Sequence, residues 1–473
     1  MLALSKQKVS ARTIALSAAA LAFAVVLFNP SVLNDGDTYW HIAAGRWMLD
    51  NQAVLRIDPF SYTFAGHPWQ THEWLAEVVM ALAYVGAGWI GIVLLFGAAA
   101  ALTAGLLGRH LSRWLSGTSL ALTLFLSLAC VAGSLLARPH LLALPLLELW
   151  TAGILIARAE RRAPSWKLLP LMVLWANLHA SFVIGLLLPL PFALEAVLEE
   201  TGTRGTALRR WGLFAAGAVA MALITPYGLD GIIFPFRLMA MPSLQLVSEW
   251  SPTDFRIFQP LAFAVAAASY VLLSRGARIK PLRILVLLAL LYLALIHVRH
   301  HMLAGIIGAL ILAEPLGRAL GTAQQRDAPR RGIRVAFGFV AIFAALCVLR
   351  FALPLERHDS ATTPGAALAQ VPAALAKMPV FNDYAFGGYL IFNDVRPYID
   401  SRAELYGEDF ISHYVAMIHP DDAALQAMLD KRHVRWTILA ADNPAVSALD
   451  RMGGWHRLYA DRWAVVHVRD GAF

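Results

Sequence analysis

Long apolar runs, not an alternation of polar and apolar positions, dominate the first three quarters of the chain. A helix that crosses a bilayer needs about 20 apolar residues, because the hydrocarbon core is about 30 Å thick and the helix rises about 1.5 Å per residue. Such runs fall near 13–33, 88–108, 118–137, 139–157, 166–179, 181–198, 211–227, 259–274, 282–298, 302–317 and 334–353. They predict an α-helical polytopic membrane protein with about 11 transmembrane helices. Pro189 and Pro191 soften the edges of the sixth run, and the fifth is short. The run 13–33 follows Lys6, Lys8 and Arg12, is too long for a signal-peptide core and closes on no small-residue cleavage site, so it is expected to be retained.

The gaps between runs carry an orientation signal. Basic residues sit at Lys6/Lys8/Arg12, Arg109/Arg113, Arg158/Arg161/Arg162/Lys167, Arg204/Arg209/Arg210, Arg275/Arg278/Lys280/Arg283 and Arg318/Arg326/Arg330/Arg331/Arg334, which is every second gap. Lys and Arg resist translocation, so the N-terminus is expected in the cytoplasm of a bacterial inner membrane. The intervening gaps and the chain after Leu353 then face the periplasm.

Composition agrees: 59% of the 473 residues are hydrophobic and 15% are charged, more apolar surface than a soluble core needs. The net charge of +8 comes from these loop clusters, not from a basic face interleaved with aromatics, and does not point to nucleic acid. Cys130 and Cys347 both lie inside apolar runs, where neither a disulfide nor a thiolate metal site is expected.

Three regions follow: a transmembrane domain over 1–353 with a periplasmic first loop at 34–74, a Pro/Ala/Thr-rich linker at 354–376, and a small periplasmic α/β domain at 377–473. In the last, strands are expected at 379–382, 396–399, 436–440 and 463–468, with helices near 384–392, 402–416, 421–432 and 443–452. It contains no Gly-rich phosphate loop.

The chemistry-bearing residues gather in the outer gaps. Asp35 and Asp37 follow the first run, and 38–50 has the apolar face of a helix lying at the membrane interface, formed by Tyr39, Ile42, Ala43 and Trp47. Asp37 can be its N-cap, or one of the two carboxylates can serve as a general base. His72, Glu73 and Glu77 open the next stretch, where a Glu can simply cap a helix. Arg138, His140, His179, Arg299, His300 and His301 sit at the outer ends of five helices, suited to a lipid phosphate, to snorkelling or, less readily, to a metal. Glu249 and Trp250 can contact a sugar or anchor the interface. Asp400, Ser401 and Arg402 form a sugar-binding turn or a salt-bridged loop.

The run Asp37-Thr38-Tyr39-Trp40-His41-Ile42-Ala43 with Gly45, then Asp58-Pro59-Phe60-Ser61-Tyr62-Thr63, Gly66, Pro68-Trp69 and His72-Glu73-Trp74-Leu75, resembles the GT-C superfamily of integral-membrane glycosyltransferases. The likeness is to its protein O-mannosyltransferase and aminoarabinose-transferase type, and within that to a bacterial polytopic branch. Trp175-Ala176-Asn177-Leu178-His179, Pro226-Tyr227-Gly228, Glu249-Trp250, Asn382-Asp383-Tyr384 and Asp400–Gly407 extend the resemblance over most of the chain.

The resemblance implies a polyprenyl-phosphate sugar donor, a first-loop Asp as base, and inversion at the anomeric carbon. Asp37 occupies the base position, with Asp35 as runner-up. Arg138, His140, Arg299, His300 and His301 are candidates for the donor phosphate. Candidate substrate-binding residues are His41, His72, Glu73, Asn177, His179, Tyr227, Glu249 and Trp250. No cofactor or metal is expected, although the Asp-Gly-Asp spacing and short second loop depart from many members and leave donor type and divalent-metal use open. The expected partners are membrane lipids, the lipid-linked sugar and an acceptor in the envelope, a lipid or a protein. The competing expectation is a non-enzymatic transporter or an assembly scaffold for envelope polysaccharide.

Overall fold

Ser10 accepts a hydrogen bond from the Thr13 N–H at 3.1 Å and so starts the first helix, α1 (Ala11–Phe28). The chain is described here by a computed structural model covering residues 9–200, 204–246, 248–322, 332–419 and 421–471. After α1 come α2 (Gly36–Asn51), α3 (Trp74–Leu111), α4 (Gly117–Ala132), α5 (Pro139–Ala159), α6 (Leu169–Leu178), α7 (Phe182–Leu187) and α8 (Pro189–Glu199). The helical part continues through α9 (Arg204–Ala222), α10 (Leu229–Met239), α11 (Pro260–Ser274), α12 (Pro281–Ile296), α13 (His301–Ala319) and α14 (Gly332–Ala352).

Each of the predicted apolar runs coincides with helix. Among the described residues, six helical stretches are long and apolar enough to cross a membrane, and four further apolar helices are shorter. The chain is therefore a membrane-embedded protein, mostly helical. α3 is two helices joined at a kink, where Ala87 leaves helical geometry and Gly88 adopts φ +57°, ψ −143°, a conformation open to glycine alone. The kink falls where the apolar run 88–108 begins, so 74–86 is a separate helix beneath α2.

Ion pairs identify which helix ends share a face. Arg158 near the end of α5 meets Glu195 of α8 at 3.1 Å, and Arg283 at the start of α12 meets the same carboxylate at 2.9 Å. At 3.7 Å, Arg283 also approaches Glu314 near the end of α13. These ends lie opposite those that carry the site.

Beyond α14 the chain forms α15 (Gly365–Ala369), α16 (Ala373–Ala376), β1 (Val380–Asn382), α17 (Gly387–Phe392), α18 (Ala403–Ile418), α19 (Asp422–Lys431), β2 (Trp436–Ala440), α20 (Pro444–Arg451), β3 (Trp455–Ala460) and β4 (Ala464–Arg469). The sheet order is β1-β2-β4-β3, with β1 parallel to β2 and the other two pairings antiparallel.

Two strand expectations need correcting. Residues 396–399 are not a strand: Tyr398 and Ile399 are buried, but their N–H groups donate to the Asn382 side chain instead of to a neighbouring strand. An unexpected strand, β3, pairs with β4 on the exposed edge; its alternation is masked by His456 and Arg457. In the stretch expected as a linker, Ala367, Val371 and Leu375 join the apolar cluster of β1, β2 and β4.

A further correction concerns α2. It does not lie on the membrane surface by one face, because Thr38, Tyr39, Trp40, His41, Ile42, Ala44, Gly45 and Met48 are all buried. α3 packs on one side and α17 on another. A Cβ at Gly45 would overlap the Glu77 carbonyl, and one at Gly388 would overlap the Gly36 carbonyl. These contacts wedge the first loop between membrane helices and C-terminal region.

Candidate active site

Asp35, not Asp37, is the N-cap of α2: its carboxylate accepts the Asp37 N–H at 2.9 Å. Asp37 stands in the first turn, turned towards the start of α5. That start is held beside α2 by two bonds, Ala137 N–H to the Val32 carbonyl at 2.8 Å and Thr38 Oγ1 to the Ala137 carbonyl at 3.0 Å. Pro139 ends the backbone donors there, and Arg138 projects back onto both aspartates.

The Arg138 guanidinium is a hub. It grips Asp35 through Nε and, at 2.8 Å, through Nη2. Its Nη1 meets Asp37 Oδ2 at 3.1 Å and also Glu249. Burial opposes the charge, but Asp37, Asp35 and Glu249 outweigh it and hold the Arg138 pKa well above the ordinary guanidinium value. Arg299 approaches the other oxygen of Glu249 at 4.0 Å and lies over the Trp250 ring, 4.4 Å from its centroid.

The two aspartates differ in what remains open to a ligand. Asp35 is 2% exposed and both its oxygens are engaged, whereas Asp37 is 18% exposed. Trp40 Nε1 donates to Asp37 Oδ1 at 3.3 Å, and the Ser401 hydroxyl donates to the same oxygen. Trp40 Nε1 also reaches Ser401 Oγ at 3.0 Å.

A second cluster lies alongside. Glu73 takes His72 and His179 on one oxygen, each at 3.5 Å, and His41 on the other at 3.7 Å. His41 Nδ1 faces Glu77 at 3.4 Å. Burial works against the Glu73 charge, yet His72 and His179 beside it hold its carboxyl well below the usual range. For His72, burial is likewise overcome by Glu73 and the pKa rises above 6.5, while burial drives His179 down to about 3. Among the described residues, no three His, Cys, Asp or Glu side chains are placed to hold a metal ion together.

Several sequence candidates are committed elsewhere. Asn177 accepts from Trp74 Nε1 at 2.7 Å and donates to the Val173 and Ile224 carbonyls, each at 2.8 Å. Through its hydroxyl, Tyr227 ties Thr71 and the Leu55 carbonyl together at 2.7 and 2.9 Å. His301 is buried against Thr253 Oγ1 at 2.8 Å, which locks α13 to the chain before α11. It does not join the other arginines and histidines, because the adjacent positions 300 and 301 face different sides of the helix. His300 turns to the Leu293 carbonyl at 3.2 Å and the edge of Trp250. His140 bonds the Ser134 carbonyl at 2.8 Å, and its ring neighbours that of His179.

Ser401 was not among the sequence candidates for the base's surroundings. Its neighbours explain its placement. Arg402 is fully buried, bidentate to Asp400 at 2.7 and 2.6 Å and bonded to Asp58 of the first loop at 2.8 Å. Tyr406 donates to Asp400 at 2.6 Å. The Asp400-Ser401-Arg402 turn is thus a salt-bridged loop, and the bridge to Asp58 brings Ser401 to Asp37.

No family model and no curated protein matches the sequence. Solved structures do. ArnT from Cupriavidus metallidurans bound to undecaprenyl phosphate has a TM-score of 0.54 at 16% identity, covering 97% of this chain and 98% of that one. The apo state of the same ArnT gives 0.53 at 15% identity over 96% of both chains. The Archaeoglobus fulgidus oligosaccharyltransferase in the apo form gives 0.50 at 12% identity, over 97% of this chain and 74% of that one. The likeness runs along nearly the whole of this chain, which shares the fold of these solved structures.

Proposed function

We propose that the chain is a glycosyltransferase that takes a sugar from a polyprenyl-phosphate donor and passes it to an acceptor hydroxyl on an envelope, lipid or protein substrate. Asp37 is the general base. The observation that carries this reading is the contrast between the two aspartates. Asp35 is consumed by the helix cap and Arg138, while Asp37 is held by Arg138, Trp40 and Ser401 yet stays partly exposed. That is the arrangement a base needs: fixed in place, within reach of a hydroxyl proton.

In the reaction, the acceptor oxygen forms a bond to the anomeric carbon as the bond to the phosphate oxygen breaks, and the hydroxyl proton passes to Asp37. The configuration inverts. Charge accumulates on the leaving polyprenyl phosphate, and Arg299 suits it better than Arg138. Most of the Arg138 donors are already spent on carboxylates, whereas Arg299 has one contact at 4.0 Å and an indole behind it. The ArnT neighbour solved with undecaprenyl phosphate supports a donor of this lipid class.

The site end of the bundle is periplasmic in this proposal, with eleven crossings, a periplasmic C-terminal domain and no required metal. The basic ends opposite the site support that orientation. The test is profiling of envelope glycans and lipid-linked sugars in cells carrying Asp37→Asn beside a deletion strain, with membrane expression of the variant verified. A variant profile matching the deletion supports the enzyme; a wild-type profile from a well-expressed variant turns the reading to a scaffold or transporter.

A further inference from the structure

At the end of the bundle opposite the site, α1, α3 and α14 do not close on each other. The first two pack tightly: a Cβ at Gly108 would lie 2.7 Å from the Ala15 Cβ. α14 leans on them through few residues, such as Phe343, whose ring lies 5.2 Å from Phe23, and leaves most of its surface exposed. Between them remains a crevice of about 1470 Å³ with an apolar wall that includes Ala15, Ala19, Ala101 and Gly105.

The mouth of the crevice differs from its wall. Arg12, Arg109 and Arg113 line it, together with Ser112 and Trp114, and among the described residues no Asp or Glu does. Arg109 and Arg113 are exposed, and among the described residues neither forms a salt bridge. Glu148, buried on α5, feels both arginines but does not line the crevice. Depth fits the leaflet: from Arg109 back to Ala98, the chain of α3 rises about 16 Å, against about 15 Å for half the hydrocarbon core.

We propose that this crevice is a binding site for an anionic phospholipid of the leaflet opposite the catalytic site. One acyl chain lies on the small-residue wall, and the headgroup phosphate is held by Arg109 and Arg113 with Arg12 at its flank. Charge complementarity selects the occupant: a protein helix would need acidic residues at its end, and a zwitterionic lipid gains less from the exposed guanidinium groups of Arg109 and Arg113. The crevice is distinct from the Asp37 site, which lies past the far ends of α1 and α3, so this assignment stands whatever reaction that site performs.

Native mass spectrometry of the purified full-length chain, titrated with phosphatidylglycerol and with phosphatidylcholine of matched acyl chains, tests it. Wild type should retain phosphatidylglycerol in preference. Arg109→Gln with Arg113→Gln should weaken that retention by about fivefold for each arginine removed and leave phosphatidylcholine unchanged. Gly105→Leu should lower retention of both lipids by filling the wall; it is tolerated because a Cβ there meets Ala19 at an ordinary 3.6 Å. Equal retention of the two lipids by wild type, or an unchanged preference in the double arginine variant, overturns the proposal.

Discussion

Ser401 donates its hydroxyl to the Asp37 carboxylate across a separation of 364 residues. The contact ties a turn of the C-terminal region to the first loop at the group proposed to do the chemistry. It also shows what an acceptor hydroxyl has to compete with, since Trp40 donates to the same oxygen and Arg138 holds the other.

Ser401→Ala should therefore change the transfer rate by less than tenfold, because Arg138 and Trp40 still position Asp37. Asp37→Asn should lower it by about 10²–10⁴-fold, the usual worth of a positioned base. Rates of sugar transfer in membranes from the two variants, at matched expression, check the contrast. A Ser401→Ala loss as large as that of Asp37→Asn would make Ser401 part of the proton transfer itself.

Asp35→Asn should act on stability before it acts on rate. The substitution keeps an N-cap acceptor but removes a carboxylate that neutralises Arg138 in a buried setting, at a cost of about 1.5–3 kcal/mol for a charged hydrogen bond. Thermal unfolding of the purified variant in detergent should show the lower midpoint, and the residual activity per folded molecule should exceed that of Asp37→Asn.

Arg402→Met should be the most damaging single change in the C-terminal region. It leaves the buried Asp58 and Asp400 without a counter-charge, and breaking a buried pair in this way costs about 3–5 kcal/mol. Arg402→Lys should rescue little, since one ammonium cannot reproduce the bidentate grip and the stacking over Trp69 at 4.4 Å. Limited proteolysis of the membrane-embedded protein should show cleavage within the first loop and the C-terminal region together.

Sequence reading reached the helical fold because each span must satisfy its backbone hydrogen bonds internally, so length and apolarity alone locate it. It also found the first-loop acids, Arg138, Arg299 and the His72–Glu73 pair, all of which the structure draws into adjoining clusters. The N-cap was misplaced by two residues because Asp35 and Asp37 satisfy the same cap pattern and only backbone geometry separates them. β3 escaped because an exposed edge strand shows little alternation, and Ser401 because a contact across 364 residues leaves no local pattern.

The charge state of the His72–Glu73 pair gives a pH signature. His72 is raised above 6.5, so its contribution is present in full below 6.5 and fades as the pH rises through the elevated value. Glu73 is lowered below 4.5, so its contribution is present above 4.5 and fades as the pH falls. The gap in unfolding temperature between wild type and His72→Gln should thus be widest between pH 4.5 and 6.5 and narrow towards alkaline pH. A gap that widens above pH 7 would contradict the pairing.

The glycine-on-carbonyl contact between Gly388 and Gly36 bears on how such chains can be recombined. Where two backbones touch with no side chain between them, neither surface can be retailored by swapping residues at the seam. A chimaera that exchanges the C-terminal region alone would set a foreign backbone against α2 and separate Arg402 from Asp58. Exchanging residues 34–74 with it keeps the seam intact, so the first loop and the C-terminal region behave as one heritable cassette, although helices α3 to α14 lie between them in sequence.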